Sequence, residues 1–231
     1  MPAKRTYMPG PQRRQAILEA AAGVFATKGY RGSSVDDIVE AAGISKGTFY
    51  LYFESRKDAF VELIESFFIE FARILKENHE RLERTFEEDG NFLASWRQNA
   101  INVLGFHRDN PELTVIVYRE ALGRDEDFSG RSRELNRLAR RLQHEEFQTL
   151  ADKGFMRPED VDLVTSINMG ATVEVILEHI LGKKNPDIEG LADRLLEYHT
   201  RALAPSWMDV DEALSGVLKR PARKTVQRSR S

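Results

Sequence analysis

The chain is 231 residues long, 41% hydrophobic and 31% charged, with a formal net charge of −3, the composition of an ordinary globular protein with a sizeable core. It has no cysteine, which excludes disulfides, thiolate metal sites and cysteine nucleophiles. The small net charge hides a segregation: residues 1–60 carry 9 Lys+Arg against 6 Asp+Glu, residues 61–216 carry 19 against 31, and residues 217–231 carry 6 against none, so a polyanion is expected to meet the ends of the chain and not its acidic middle.

Residues 1–11 are basic, contain proline and glycine and lack periodicity, and read as a flexible arm. Their start, Met-Pro-Ala-Lys-Arg, has no apolar stretch of a secretory signal. No apolar run approaches the length of a membrane span, and the expected location is cytoplasmic. Gln12 to Lys28 places Ile17, Ala21, Val24 and Phe25 on one helical face, and Gly29 stands where a left-handed residue would end that helix. Ser34 is expected to cap a second helix with Asp37 as its reciprocal partner. Val35, Ile38, Val39 and Ala42 form its apolar stripe, and Gly43 breaks it. Ser45 then caps a third helix that runs to Phe53, and Ser55 with Asp58 repeats the capping box at the start of a fourth.

The fourth helix keeps its apolar spacing from Phe60 to Phe86 and ends near Asp89-Gly90-Asn91. At ~1.5 Å per residue it spans on the order of 45–50 Å, enough to link two domains. Further helices are predicted over Phe92–Arg108, Pro111–Gly123, Gly130–Lys153, Pro158–Gly182 and Ile188–Leu203, with Pro111, Pro158 and Pro186 at or before starts. A small amphipathic helix follows at Val210 to Leu218, then a basic tail, 219–231, that reads as disordered. No alternating strand pattern, internal repeat or low-complexity segment is present, and the fold class is all-α.

Two short helices separated by a glycine turn form the helix-turn-helix arrangement that enters a DNA major groove. With Phe49 and Phe53 facing the core, Gly47, Thr48, Tyr50 and Leu51 face outward and Lys46 flanks the helix start. Gly47 costs ~1 kcal/mol relative to alanine in a helix interior, and its use is a close approach of backbone to DNA. Lys46 suits guanine or a phosphate, Thr48 a base edge, and Tyr50 a phosphate oxygen. Tyr52 stands near the core face and reads equally as packing. Ser34 and Lys57 lie at helix N-termini that suit phosphates.

These residues carry a resemblance. Gly29-Tyr30, Ser34-Val35-Asp36-Asp37-Ile38, Ala41 through Tyr50 and Phe53-Glu54-Ser55-Arg56-Lys57-Asp58 resemble the DNA-binding motif of TetR/AcrR-family transcriptional regulators, over roughly the first quarter of the chain. The resemblance implies a three-helix DNA-binding domain at 12–55 and a larger helical domain at 56–204 that binds an inducer and dimerises, followed by an extension at 205–231. It carries DNA contact onto Ser34, Lys46, Gly47, Thr48, Tyr50, Tyr52 and Lys57. It also implies a repressor released from its operator by a ligand, an activator being the alternative.

The helix over Val161 to Leu181 is apolar on nearly every side, and Gly170 and Ala171 allow close approach of another helix. With the stripe Ile188, Leu191, Leu195 and Leu203 it is expected to build a two-fold homodimer on a near-palindromic DNA site; a single deep core is the competing reading. Polar groups stranded among apolar ones mark the expected small-molecule pocket: Trp96, Asn99, Asn102, His107, Tyr118, Arg119, Asn168 and Thr172. Arg119 reads either as an anchor for an anion or as the ion-pair partner of Glu120 or Glu112, and Trp96 equally as core. The five histidines lack metal-ligand spacing, so no metal and no cofactor beyond the small-molecule effector is expected. An enzyme with an accessory DNA-binding head finds no motif to support it, and a DNA-coating protein using the basic ends is separable by its low specificity.

Overall fold

The computed structural model describes residues 10–88, 90–121, 126–157 and 161–218, with side chains at 119–121, 126–129, 131 and 132 outside the described set. Ten helices are found among them: α1 Gly10–Lys28, α2 Val35–Ala42, α3 Lys46–Tyr50, α4 Arg56–Glu87, α5 Phe92–Asp109, α6 Pro111–Ala121, α7 Glu126–Asp152, α8 Val161–Val175, α9 Ile188–Leu203 and α10 Val210–Ser215. A π-helical turn, Ile176–Leu181, continues α8. The described residues contain no strand, as the all-α reading expects.

Several bounds differ from expectation. Helix α1 begins at Gly10, inside the expected arm, because Pro11 fits a first helical turn that needs no N–H donor. Helix α3 stops at Tyr50 rather than Phe53, its last residues forming a turn in which the Tyr52 N–H donates to the Phe49 carbonyl at 2.9 Å. Helix α7 starts four residues before Gly130, and α10 ends before Leu218. The expected start at Pro158 and the basic tail at 219–231 lie outside the described residues.

The chain divides into two compact units, residues 1–74 with 106–139 and residues 75–105 with 140–231. The expected reading domain, 12–55, falls in the first, and the division lies within α4. In the first unit α1 supplies Ile17, Ala21 and Phe25, α2 supplies Ile38, and α4 supplies Phe60, Ile64 and Phe67 to one core. Phe25, Phe49, Phe53 and Phe60 are each no more than 1% exposed, and burial of each stabilises by ~1.5–3 kcal/mol. Among the described residues, the cores of the second unit include one of Leu93, Leu196 and Leu214 and one of Phe147, Leu150 and Met156.

Candidate nucleic-acid interface and ligand-binding groups

Local signals set each helix of the reading head. The Ser34 hydroxyl accepts from the Asp37 N–H at 3.2 Å, and the Asp37 carboxylate accepts from the Ser34 N–H at 2.7 Å, so α2 opens on a complete capping box. Lys28 closes on the same carboxylate at 2.5 Å. The Lys28 ammonium and the Ser34 donors hold the Asp37 carboxyl down at about 2. Helix α2 ends on Gly43, φ +64°, with the Gly43 N–H on the Glu40 carbonyl at 3.2 Å and the Ile44 N–H on the Val39 carbonyl at 3.0 Å. That double bond pattern needs a left-handed residue, which glycine adopts without penalty. Ser45 then caps α3 by accepting from the Thr48 N–H at 3.2 Å. The capping box expected at Ser55 is altered: Asp58 donates its N–H to Ser55 Oγ at 3.1 Å, but its carboxylate reaches past Ser55 to the Glu54 N–H at 3.1 Å.

Helix α3 and the turn after it turn Phe49 and Phe53 inward and leave Lys46, Gly47, Tyr50 and Leu51 exposed, the last at 80%. A Cβ placed on Gly47 would meet Ser45 Oγ at 3.9 Å, an ordinary contact, so crowding inside the protein does not account for this glycine. Thr48 is half-buried, its hydroxyl 2.9 Å from that of Ser45. Tyr52 is half-buried and packs on the core of the first unit. Ser34 and Lys57 are exposed at the starts of α2 and α4. Lys46 carries a partner that local reading missed: its ammonium lies 2.7 Å from Asp36, on an exposed surface, which raises its pKa. Ten residues and a turn separate the pair, so helical spacing does not announce it.

Two arginines brace the head rather than extend its basic surface. Arg14 pairs with Glu62 and stacks its guanidinium 4.7 Å from the centre of the Phe53 ring. Arg56 donates to the Ser33 carbonyl and lies 4.4 Å from the centre of the Tyr30 ring, which packs on Phe60. Each joins α4 to an element of the reading head, α1 for Arg14 and the turn before α2 for Arg56.

The expected ligand groups fall into separate sets. In the first unit, His107 and Tyr118 share an aromatic cluster with Phe67, Phe71 and Phe106. Burial pushes the His107 imidazole down to about 4 and the Tyr118 phenol up to about 12. The Thr114 hydroxyl donates to the Asn110 carbonyl at 2.7 Å, so the His107 Nδ1–H donates to Thr114 Oγ1 at 3.1 Å and the Nε2 atom is a buried acceptor. In the second unit, Asn99 and Asn78 exchange side-chain to backbone hydrogen bonds at 3.0 and 3.1 Å, and Asn102 donates to Asn78 at 2.8 Å. Their amide donors tie α5 to α4, while Asn99 Oδ1 remains a buried acceptor. Asn168 is buried and Thr172 half-buried on α8, whereas the side chain of Arg119 lies outside the described residues. Trp96 lines an apolar cleft in the second unit, a site built mostly from residues that sequence reading did not single out.

Helix α8 and its continuation are covered on one face only, which includes Ile176 and Ile180. Thr165 and Asn168 are buried, while Leu163 and Ile167 are more than half exposed and Leu177 is 37% exposed. No helix among the described residues is long and apolar enough to cross a membrane, and no cluster of three or more His, Asp or Glu among them is placed to hold a metal ion.

Residues 17–63 match the family described as "Bacterial regulatory proteins, tetR family". Over 159 residues the chain is 30% identical to the HTH-type transcriptional repressor KstR2 of Mycobacterium tuberculosis, covering 66% of this chain and 74% of KstR2. The solved structure of the ketosteroid transcriptional regulator KstR2 superposes with a TM-score of 0.65 at 23% identity, over 84% of this chain and 96% of that one. FadR from Bacillus subtilis, solved in complex with stearoyl-CoA, superposes with a TM-score of 0.57 at 21% identity, over 79% of this chain and 95% of that one.

Proposed function

The chain belongs to the tetR family of bacterial regulatory proteins and is a DNA-binding transcriptional regulator; within that family, we propose that it is a homodimeric repressor, released from a near-palindromic operator by a small molecule. The observation that carries the DNA contact is the outer face of α3. Gly47 is exposed, a Cβ there meeting nothing closer than Ser45 Oγ at 3.9 Å, and is flanked by exposed Lys46 and Tyr50, while Phe49 and Phe53 anchor the opposite face. In this reading the Gly47 backbone lies against base edges, Lys46 exchanges Asp36 for a phosphate or guanine, and Tyr50 holds a phosphate oxygen. Thr48 reads a base edge, and Ser34, Tyr52 and Lys57 contact the flanking backbone.

One such helix reads few base pairs, and two-fold pairing supplies the second half-site at ~34–36 Å. The exposed leucine and isoleucine side chains of α8, with exposed Tyr198 on α9, favour these helices as the pairing surface. The protein acts in the cytoplasm, where its DNA lies. Release requires a ligand that prefers a second conformation, and ~1–3 kcal/mol of coupling suffices for detectable induction. The FadR complex supports a small-molecule effector by its fold. An electrophoretic shift of the DNA upstream of its own gene, competed by that fragment and not by unrelated DNA, tests the regulator. No sequence-specific shift on any genomic fragment overturns it, and a complex that recruits polymerase would make the protein an activator.

A further inference from the structure

Release from DNA by a small molecule, as proposed, requires an effector site, and the site assigned to it rests on that reading. The second unit holds an apolar cleft, about 400 Å³ with its open mouth, walled by Phe92 and Trp96 of α5, Phe147 of α7, Phe155, and His199 and Leu203 of α9. Local geometry builds the wall. Helix α7 ends at Gly154, φ +73°, with the Gly154 N–H on the Ala151 carbonyl at 3.0 Å and the Phe155 N–H on the Leu150 carbonyl at 2.9 Å. The reversal lays the Phe155 ring 4.8 Å from that of Phe92. Two bonds tie the next residues to the end of α9: the Arg157 N–H donates to the Leu203 carbonyl at 2.9 Å, and its guanidinium donates to the Ala202 carbonyl.

The lining dictates what can enter. No charged side chain lines the cleft among the described residues, so an anion would lose its water without gaining a cation. Thr200 also lines it, but its hydroxyl is spent on the Leu196 carbonyl at 2.8 Å. His199 differs. Its Nδ1 lies 2.7 Å from the Leu195 carbonyl oxygen, which can only accept, so the hydrogen sits on Nδ1. Burial pushes the imidazole below its ordinary value and keeps it neutral at pH 7. Nε2 therefore carries a lone pair, an acceptor on a residue that lines the cleft beside flat aromatic walls. We propose that this cleft is the effector site, and that its ligand is a neutral one- or two-ring molecule bearing a hydroxyl or N–H group that donates to His199 Nε2.

The chain has two tryptophans: Trp96 lines the cleft, and the Trp207 ring lies 6.4 Å from that of Phe155. Intrinsic fluorescence of the full-length protein thus reports on the site. The transparent probes 2-decalol, decalin and decahydronaphthalene-2-carboxylate separate hydrogen bond, ring and charge. The expected result is a saturable change with 2-decalol, at least tenfold tighter than with the carboxylate. His199→Leu weakens 2-decalol by about fivefold, the worth of one hydrogen bond, and leaves decalin unchanged. Ala204→Phe fills the cleft and abolishes both. No saturable change, equal affinity for the carboxylate, or an equal loss for decalin and decalol in His199→Leu overturns the proposal. Release of labelled operator is read in a parallel titration with 2-decalol. Saturable binding without release overturns the effector assignment and leaves the DNA-binding regulator standing. A ligand-free protein that shifts no operator overturns that regulator instead, whatever the fluorescence shows.

Discussion

Gly47→Ala is expected to move stability and function in opposite directions. The new methyl group has open space, with Ser45 Oγ at 3.9 Å, and Gly47 lies within the helical residues of α3. Alanine is favoured over glycine in a helix by up to ~1 kcal/mol, so the variant should gain ~0.5–1 kcal/mol. For a chain of this size 1 kcal/mol corresponds to a Tm rise of roughly 2–4 °C. On the operator the same methyl group stands where backbone meets base edges, and holding α3 off the groove should cost at least ~1.4 kcal/mol, a tenfold loss of affinity. Thermal unfolding by circular dichroism and anisotropy of a labelled operator measure the two effects on one preparation. Gly43→Ala is the control, because its φ of +64° penalises a side chain by ~1–2 kcal/mol and lowers Tm. A Gly47→Ala protein with raised Tm and unchanged operator affinity would show that this face does not lie on DNA. A lowered Tm would show instead that the face is packed inside the protein.

Lys46→Ala should reduce the slope of log affinity against log salt by about 2 per dimer, one phosphate lost from each protomer; an unchanged slope places Lys46 off the backbone. Asp36→Asn removes the acceptor that competes for Lys46 and should tighten operator binding, measured by the same anisotropy titration, with weaker binding contradicting the exchange. Leu163→Glu with Ile167→Glu should yield a folded monomer in sedimentation velocity that no longer shifts the operator, and a persistent dimer would remove α8 from the pairing surface. Burial depresses the His107 pKa from 6.5 to about 4 in the folded state, so as pH falls through that window the unfolded chain takes up a proton that the folded chain refuses. Stability should therefore fall from pH 6.5 to 4, by about 3 kcal/mol in all, and denaturant midpoints of His107→Gln should be flatter over that range.

The reading head was legible because its determinants are local. Ser34 and Asp37 are three residues apart, Gly43 follows the last apolar position of α2, and Phe49 and Phe53 are one turn apart. Each feature acts within a single turn of helix, where spacing alone decides geometry. What escaped reading was non-local. The Lys46–Asp36 pair crosses a turn, the Arg14 and Arg56 braces span 48 and 23 residues to their partners, and the cleft gathers residues from Phe92 to Met208. Trp96, an aromatic with a polar handle, is the one expected ligand group among the residues lining that cleft. The amides flagged beside it, Asn99 and Asn102, instead hold α5 on α4.

Helix α8 shows why apolar content alone cannot say which face of a helix is buried within its own chain. Leu163, Ile167, Gly170 and Leu177 follow one another at intervals of four, three and seven, the spacing of one helical stripe, and all are exposed. The opposite, buried side carries Thr165 and Asn168 and, in the continuing turn, Ile176 and Ile180. Thr165 can be buried there because its hydroxyl donates to the Val161 carbonyl at 2.7 Å, one turn back, and needs nothing from a neighbour. A monomeric core would gain by the reverse arrangement, leucine and isoleucine inward and threonine outward. The pattern becomes favourable when a second copy covers the stripe: the apolar area is then removed from water once the protomers pair, and the exposed Gly170 lets two backbones come close. The same hydrophobicity that makes the helix look like deep core therefore argues for an interface, and an interface of that kind would make stability rise with protein concentration.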